Sequence, residues 1–362
     1  MLRPSHRARP QAEPGTNPEQ HQPLVLVSAS ASAALRAEVA AGSRPCPEYL
    51  RLEAAGARLV DWDSTAALRR KSLRASALGV AGAGRARALS CVLSDGEHVG
   101  LPLALALHLT GARTPHVMLG HHLTTRAKQA LLQYTPALRR IDRILVHSES
   151  QAEQLVRVGI TAGKVHVVPY GVDTSFWAPL DVPEERLIVA AGREHRDYAT
   201  LAAACVSEPV RVFVTGASGH SPTAHRTEPL SWPDNVDRGQ VSFLELRHLY
   251  ARASIVVVPL LPTDFPAGVT AVLEAMAMGK AVVVTATHGL RGVVEDGVTG
   301  VLVPAQDVHA LRSVVQRLVA QPAERAALGR AARQAVVDHG SLDGYVQHLV
   351  DNLQAVTAGP SW

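Results

Sequence analysis

From Pro23 onward, short runs of β-branched residues and Leu alternate with longer Ala-rich stretches whose apolar positions recur every three to four residues. Uninterrupted apolar runs of this kind read as parallel strands covered on both faces, and the stretches between them read as the covering helices. In the first half the runs are Leu24 to Val27, Leu89 to Leu93, His116 to Leu119, Ile144 to His147 and Val165 to Val168. A second series follows at Leu187 to Ala191, Val210 to Thr215, Ser254 to Pro259, Ala281 to Thr285 and Val301 to Pro304. Between the two series, prolines and acids from Trp177 to Pro183 break both periodicities and mark a linker near 180. Helical stretches at about 306–319, 323–338 and 341–356 close the chain.

Two complete series predict an α/β protein built of two Rossmann-like domains facing a cleft. The expected division is a disordered tail over 1–22, an N-terminal domain over 23–180 and a C-terminal domain over 181–340. The remaining 341–362 form a helix and tail that cross back to the first domain. The tail holds four prolines and no apolar core, which distinguishes it from a signal peptide.

Composition narrows the function mainly by exclusion. Among 362 residues, 36 bases face 32 acids, a balance too mild to point to nucleic acid. The longest apolar runs, Val99 to Leu107 and Ile255 to Leu261, fall short of the roughly 18–20 residues of a membrane span. Cys46, Cys91 and Cys205 lie far apart with no Cys-x-x-Cys pair, which suggests neither a disulfide framework nor a zinc knuckle and fits a reducing cytoplasm.

In open α/β sheets, ligands bind beyond the carboxyl ends of strands, so the chemistry is sought in the loops there. The most informative is PLLPTDFPAGVTAVLEAMAMG over 259–279: a strand end, a turn of small residues, then a helix stopped by Gly279. Val269, Val272, Leu273 and Met276 form one buried stripe of that helix, with Glu274 off it. The amides of Gly268, Val269 and Thr270 open the helix, where anions bind, and Glu274 leans back toward the same end. Amides for a diphosphate and a carboxylate for a ribose diol suit a nucleotide.

This segment resembles the hallmark of family-4 retaining glycosyltransferases of the GT-B fold, in which a Glu, seven residues and a second Glu precede an Ala-Met-Ala-x-Gly helix end. Further pieces agree in order: VPYGVDTSF over 168–176, AGREHRD over 191–197, LYARAS over 249–254, and GVVEDGVTG over 292–300 before LVP at 302–304. The resemblance covers roughly 142–320 and implies a hexosyltransferase-like enzyme of carbohydrate biosynthesis, using a nucleoside diphosphate sugar as co-substrate and no metal or other cofactor. It makes Glu274 the ribose anchor, and puts Arg193 and Arg196 where the family has an Arg and a following base that neutralise the diphosphate leaving group. Pro266 stands where the first motif Glu belongs; either Asp264 substitutes, or the amides of Ala267 to Thr270 hold the sugar.

The family also places a His at the end of an N-terminal strand, near the anomeric carbon and the acceptor. His121 matches it, with His122 as its neighbour. Glu97 and His98, on another strand-end loop, either bind an acceptor group or cap the following helix. The acceptor is a small molecule, a glycan or a lipid-linked compound. Basic residues from Arg126 to Arg143 form either a solvated face or a contact for an anionic membrane. Asp61-Trp62-Asp63 fits a metal-binding tripeptide but falls in the acceptor half and is set aside. Two other readings keep the scaffold: a nucleotide-sugar epimerase or hydrolase, and a catalytically idle nucleotide-sugar or glycan binder.

Overall fold

The computed structural model describes residues 22–86, 89–123, 125–206, 208–216 and 231–357. The predicted tail, apart from residue 22, therefore lies outside the described residues. Among the described residues, two six-stranded parallel sheets carry the fold. The first contains β1 (Leu24–Leu26), β2 (Arg58–Val60), β3 (Val92–Ser94), β4 (His116–Leu119), β5 (Arg143–Val146) and β6 (Val165–Val167), in the order β2-β1-β3-β4-β5-β6. The second contains β7 (Leu187–Ala191), β8 (Arg211–Thr215), β9 (Val236–Gly239), β10 (Ile255–Val258), β11 (Ala281–Thr285) and β12 (Val301–Val303), in the order β12-β11-β10-β7-β8-β9.

Alternate residues of a strand point to opposite faces, and here both faces are covered. Leu187, Val189 and Ala191 of β7 join one apolar cluster, while Ile188 and Ala190 join the cluster on the other side. The strands absent from the sequence reading, β2 and β9, are both edge strands. Arg58 is exposed, as are Asp237, Arg238 and Gly239, so neither strand shows the apolar run that marks its buried neighbours.

The connection between sheets is double. The helix Pro322–His339 packs Ala332 and Val336 on the second sheet, whereas the helix Leu342–Thr357 packs Tyr345, Leu349 and Leu353 on the first. At the crossing, Val172 N–H donates to Gly340 O at 2.9 Å and Leu342 N–H to Val172 O at 2.8 Å. Gly171 is required there, since a Cβ would stand 2.5 Å from Ser341 O. Farther along, Arg143 Nη1 donates to Asn352 Oδ1 at 2.7 Å. Asn352→Ala is therefore expected to lower stability by about 0.5–1.5 kcal/mol, measured by urea unfolding. An unchanged midpoint would show that this bond contributes nothing to the docking of the crossing helix.

The basic segment is not one helix. Pro136 ends the helix Arg126–Tyr134, and a short 3-10 turn, Pro136–Arg140, leads into β5. Lys128 turns inward to Glu97, Arg140 donates to Ala112 O and Arg143 reaches Asn352, so the expected continuous basic face is interrupted. No helix among the described residues is long and apolar enough to cross a membrane.

Candidate active site

Each sheet has one point where the chain order reverses, between β1 and β3 in the first and between β7 and β10 in the second. Loops diverge at such points and leave a crevice. The predicted donor residues fall at the second reversal and the predicted acceptor residues beside the first.

At the second reversal the loops after β7 and β10 are tied together. Arg196 pairs with Leu260 in an antiparallel bridge, and Leu261 N–H donates to His195 O at 2.9 Å. His195 adopts φ 52°, a left-handed conformation uncommon for a residue with a side chain, and packs its ring edge-on against Phe265 at 5.0 Å. Arg193 and Arg196 were both expected to neutralise the diphosphate, and the structure gives them different surroundings. Arg196 is buried; its Nε donates to Ala191 O and its Nη1 to Glu194 O, both at 2.9 Å. Its guanidinium lies between Gly192 and Gly268, where Cβ atoms would stand 2.1 Å from Nη2 and 3.1 Å from Nη1 respectively. Arg193 is half-buried and lies along Gly216 at the end of β8. Asp197 caps the helix Tyr198–Cys205, accepting from Thr200 N–H at 3.1 Å.

The helix Val269–Ala277 starts from Gly268, held at φ 82°. Both that angle and the closeness of Arg196, Val258 and Leu260 require a residue without a side chain. Val269 N–H donates to Pro266 O at 3.2 Å, which corrects the expectation that all three opening amides are available to a ligand. Thr270 is exposed, with the hydroxyl of Tyr170, from the segment between β6 and β7, nearby. Glu274 was expected off the buried stripe; it is buried nonetheless, because the helix is covered all round except at Thr270. Among the described residues, no hydrogen bond or ion pair reaches its carboxylate. Burial pushes that carboxyl up to about 8, with Arg196 pulling the other way.

Across the crevice, His121 donates its amide to Glu97 Oε2 at 3.0 Å, and its Nε2 lies 2.6 Å from Asp95 O. Glu97, expected to meet an acceptor or cap a helix, instead anchors this loop. It is 4% exposed and its Oε1 accepts from Lys128 Nζ at 2.6 Å. Burial alone would raise its carboxyl; the ammonium beside it brings it down to about 2. His98 is exposed, and its ring and that of His121 both lie against Gly96. His122 reaches across and stacks on Phe265, with ring centres 4.3 Å apart, so this contact joins the two domains. Asp264 lies within electrostatic reach of His122. Next to these groups a cavity of about 380 Å³ opens between the domains, lined by His147, Tyr170, Val269, Leu273, Arg291 and His339 among others.

Asp61 and Asp63 hold the loop after β1: Asp61 accepts from Ala31 N–H at 2.8 Å and Asp63 from Ser30 Oγ. Sequence reading missed Glu48, Asp95, His147 and Tyr170. Asp95 accepts from both the amide and the hydroxyl of Ser28, joining the two loops of the first reversal. Its segment was legible as polar residues at a strand end; Glu48 carried no such signal.

Two family profiles match the chain, Glycosyltransferase Family 4 over residues 24–176 and Glycosyl transferases group 1 over 187–321. The chain belongs to this glycosyltransferase family. Among similar curated proteins, the D-inositol 3-phosphate glycosyltransferase of Thermobifida fusca is 30% identical over 262 residues, covering 64% of this chain and 59% of the relative. That of Xylanimonas cellulosilytica is 33% identical over 266 residues, covering 66% and 63%. The chain thus spans about three fifths of the length of these relatives. Among solved structures, sucrose-phosphate synthase (tll1590) from Thermosynechococcus elongatus superposes with a TM-score of 0.71 at 20% identity, covering 93% of this chain and 99% of that one. Anabaena Alr3699/HepE in complex with UDP and glucose gives 0.70 at 16%, covering 92% and 100%. At these identities the superpositions establish the GT-B architecture.

Proposed function

We propose that this protein transfers a sugar from a nucleoside diphosphate sugar to a hydroxyl acceptor, with retention and without a metal. The observation that carries the reading is Glu274: a buried carboxyl with no hydrogen bond from the described residues, at a chain reversal, within electrostatic reach of Arg196 and near the start of its helix. A ribose diol supplies the donors that this carboxylate lacks. Arg193, with Arg196 behind it, and the amides opening the helix supply the positive field that a departing diphosphate requires, the role a divalent cation serves elsewhere. His121, fixed by Glu97 and Asp95, stands on the acceptor side. In a retaining front-face step the acceptor hydroxyl bonds to the anomeric carbon as the C–O bond to the diphosphate breaks, and its proton passes to the departing phosphate oxygen. UDP in the complex of the Anabaena protein supports trying a uridine donor first.

Calorimetry with UDP, GDP and ADP tests the donor site. One of them should bind, and Glu274→Ala should weaken it about tenfold, the loss of the acceptor oxygens for the ribose hydroxyls. Equal affinity in the variant would remove Glu274 from the site. Turnover that persists in EDTA, and an axial or equatorial product anomer matching the donor by NMR, decide metal dependence and stereochemistry. Pro266 in place of the first motif Glu favours a second reading, donor binding without turnover, and absence of product across a donor and acceptor panel would establish it.

A further inference from the structure

Phe265 sits in the loop between β10 and the helix Val269–Ala277, yet it is only 7% exposed. Two histidine rings cover it, one from each domain. His122, from the loop after β4, stacks on it at 22° with ring centres 4.3 Å apart, and His195, from the loop after β7, meets it edge-on at 5.0 Å. Both loops are braced from their own side of the crevice. Lys128 Nζ, paired with Glu97, also donates to His122 O at 2.9 Å, and Gln151 Nε2 donates to His121 O at 2.8 Å. Opposite, Thr263 Oγ1 accepts from Phe265 N–H at 3.3 Å, and Phe265 O accepts from Ala267 N–H at 2.7 Å. A Cβ on Gly289 would stand 1.9 Å from Phe265 O, so the loop after β11 presses on the same turn. Pro266 fixes its own φ and disfavours helical backbone at Phe265 before it.

Two stiff loops thus meet at one aromatic stack, and each carries a part of the proposed chemistry beside it. His122 follows His121, and Phe265 lies three residues before Gly268, where the donor helix begins. On the linker side the domains are joined where Val172 bonds to Gly340 and Leu342, two chain segments about which one domain can turn against the other. A joint at one edge leaves the width of the crevice undetermined, and a contact across the crevice sets it. We infer that Phe265 and His122 are positioning residues: their stack fixes the width of the crevice and thereby the register of His121 against the donor helix. An aromatic pair of this geometry shifts such an equilibrium by about three- to tenfold. Pro266, at the position of the first motif Glu, accordingly stiffens a brace between the domains. The effect on transfer rests on the glycosyltransferase reading; the effect on crevice width does not.

The test places nitroxide labels on the full chain at Ser76→Cys, on the helix Lys71–Ala86, and Ser313→Cys, on the helix Val308–Ala320, both exposed and one on each domain. The background carries Cys46→Ser, since Cys91 and Cys205 are buried. Double electron–electron resonance then reads the distance between domains. His122→Ala and Phe265→Ala should each lengthen or broaden it by more than about 2 Å, a displacement beyond side-chain adjustment. His122→Phe, which keeps a ring but has no titrating nitrogen, should restore the wild-type distribution, and Phe265→Leu replaces Phe265→Ala if that variant fails to fold. In transfer assays without labels, each alanine variant should lose about three- to tenfold in kcat/KM, and the double variant no more than the slower single. His122→Phe should recover most of the loss. Unchanged distances in both alanine variants, losses that multiply in the double variant, or a His122→Phe variant as slow as His122→Ala would overturn the inference. Absence of transfer in the wild type would overturn the glycosyltransferase reading instead, and the distances still decide this one.

Discussion

Arg193→Ala is expected to lower kcat/KM for sugar transfer by about 100- to 1,000-fold, roughly 3–4 kcal/mol of transition-state stabilisation. The asymmetry between the two arginines is the reason. Arg196 is buried with two donors already given to the carbonyls of Ala191 and Glu194, so removing it would damage the loop as well as the field. Arg193 is half-buried at the rim of the same reversal, along Gly216, where charge developing on a leaving diphosphate would be met. Because such an interaction strengthens as the anomeric bond breaks, the loss should fall chiefly on kcat, with nucleotide affinity changing less. Steady-state kinetics with the wild-type donor and acceptor, beside calorimetry of the nucleotide alone, separates the two quantities. A variant that keeps its kcat would remove Arg193 from the reaction.

Glu97→Ala should destabilise the fold by about 3–5 kcal/mol, because it leaves the ammonium of Lys128 without its partner and frees the His121 amide. The same pair sets an acid limit. With the Glu97 carboxyl at about 2 in the folded chain against an ordinary 4.5, its contribution is fully present above about pH 4.5 and is lost as the pH falls toward 2. That difference corresponds to about 3 kcal/mol at neutral pH. Urea unfolding between pH 3 and 7 should therefore show a steeper loss toward acid in the wild type than in the variant. Parallel curves would mean that the ion pair does not stabilise the native state. Since Glu97 positions His121 without touching a reacting atom, Glu97→Gln should retain more transfer activity than Glu97→Ala at a temperature where both are folded.

Glu274 titrates in the opposite sense. Its folded value near 8 lies above the ordinary one, so its contribution to stability is fully present below about pH 4.5 and lost as the pH rises through 8. A residue that costs stability at working pH, and whose carboxyl meets no protein donor among the described residues, fits the ribose-binding role proposed for it.

How far the site was legible in the sequence depended on how local each feature is. The buried strands were visible because their apolar runs are continuous over neighbouring residues. The strands β2 and β9 were not, because exposed polar residues, Arg58 in one and Asp237 and Arg238 in the other, leave no such run. Gly268, Thr270 and Glu274 lie within seven residues, and a helix start, a small-residue turn and a carboxylate one turn on can be recognised from spacing alone.

The chain's own order of residues was thus enough to determine the α/β class, the two series of strands and the crossing helix. Tertiary structure alone decided what each charge does. Glu97 meets Lys128 across 31 positions, Asp95 meets Ser28 across 67, and His122 meets Phe265 from the other domain. Whether a carboxylate is a ligand-binding group, an anchor or half of an ion pair depends on which partners and how much solvent surround it. Those surroundings arise from chain segments that only folding brings together.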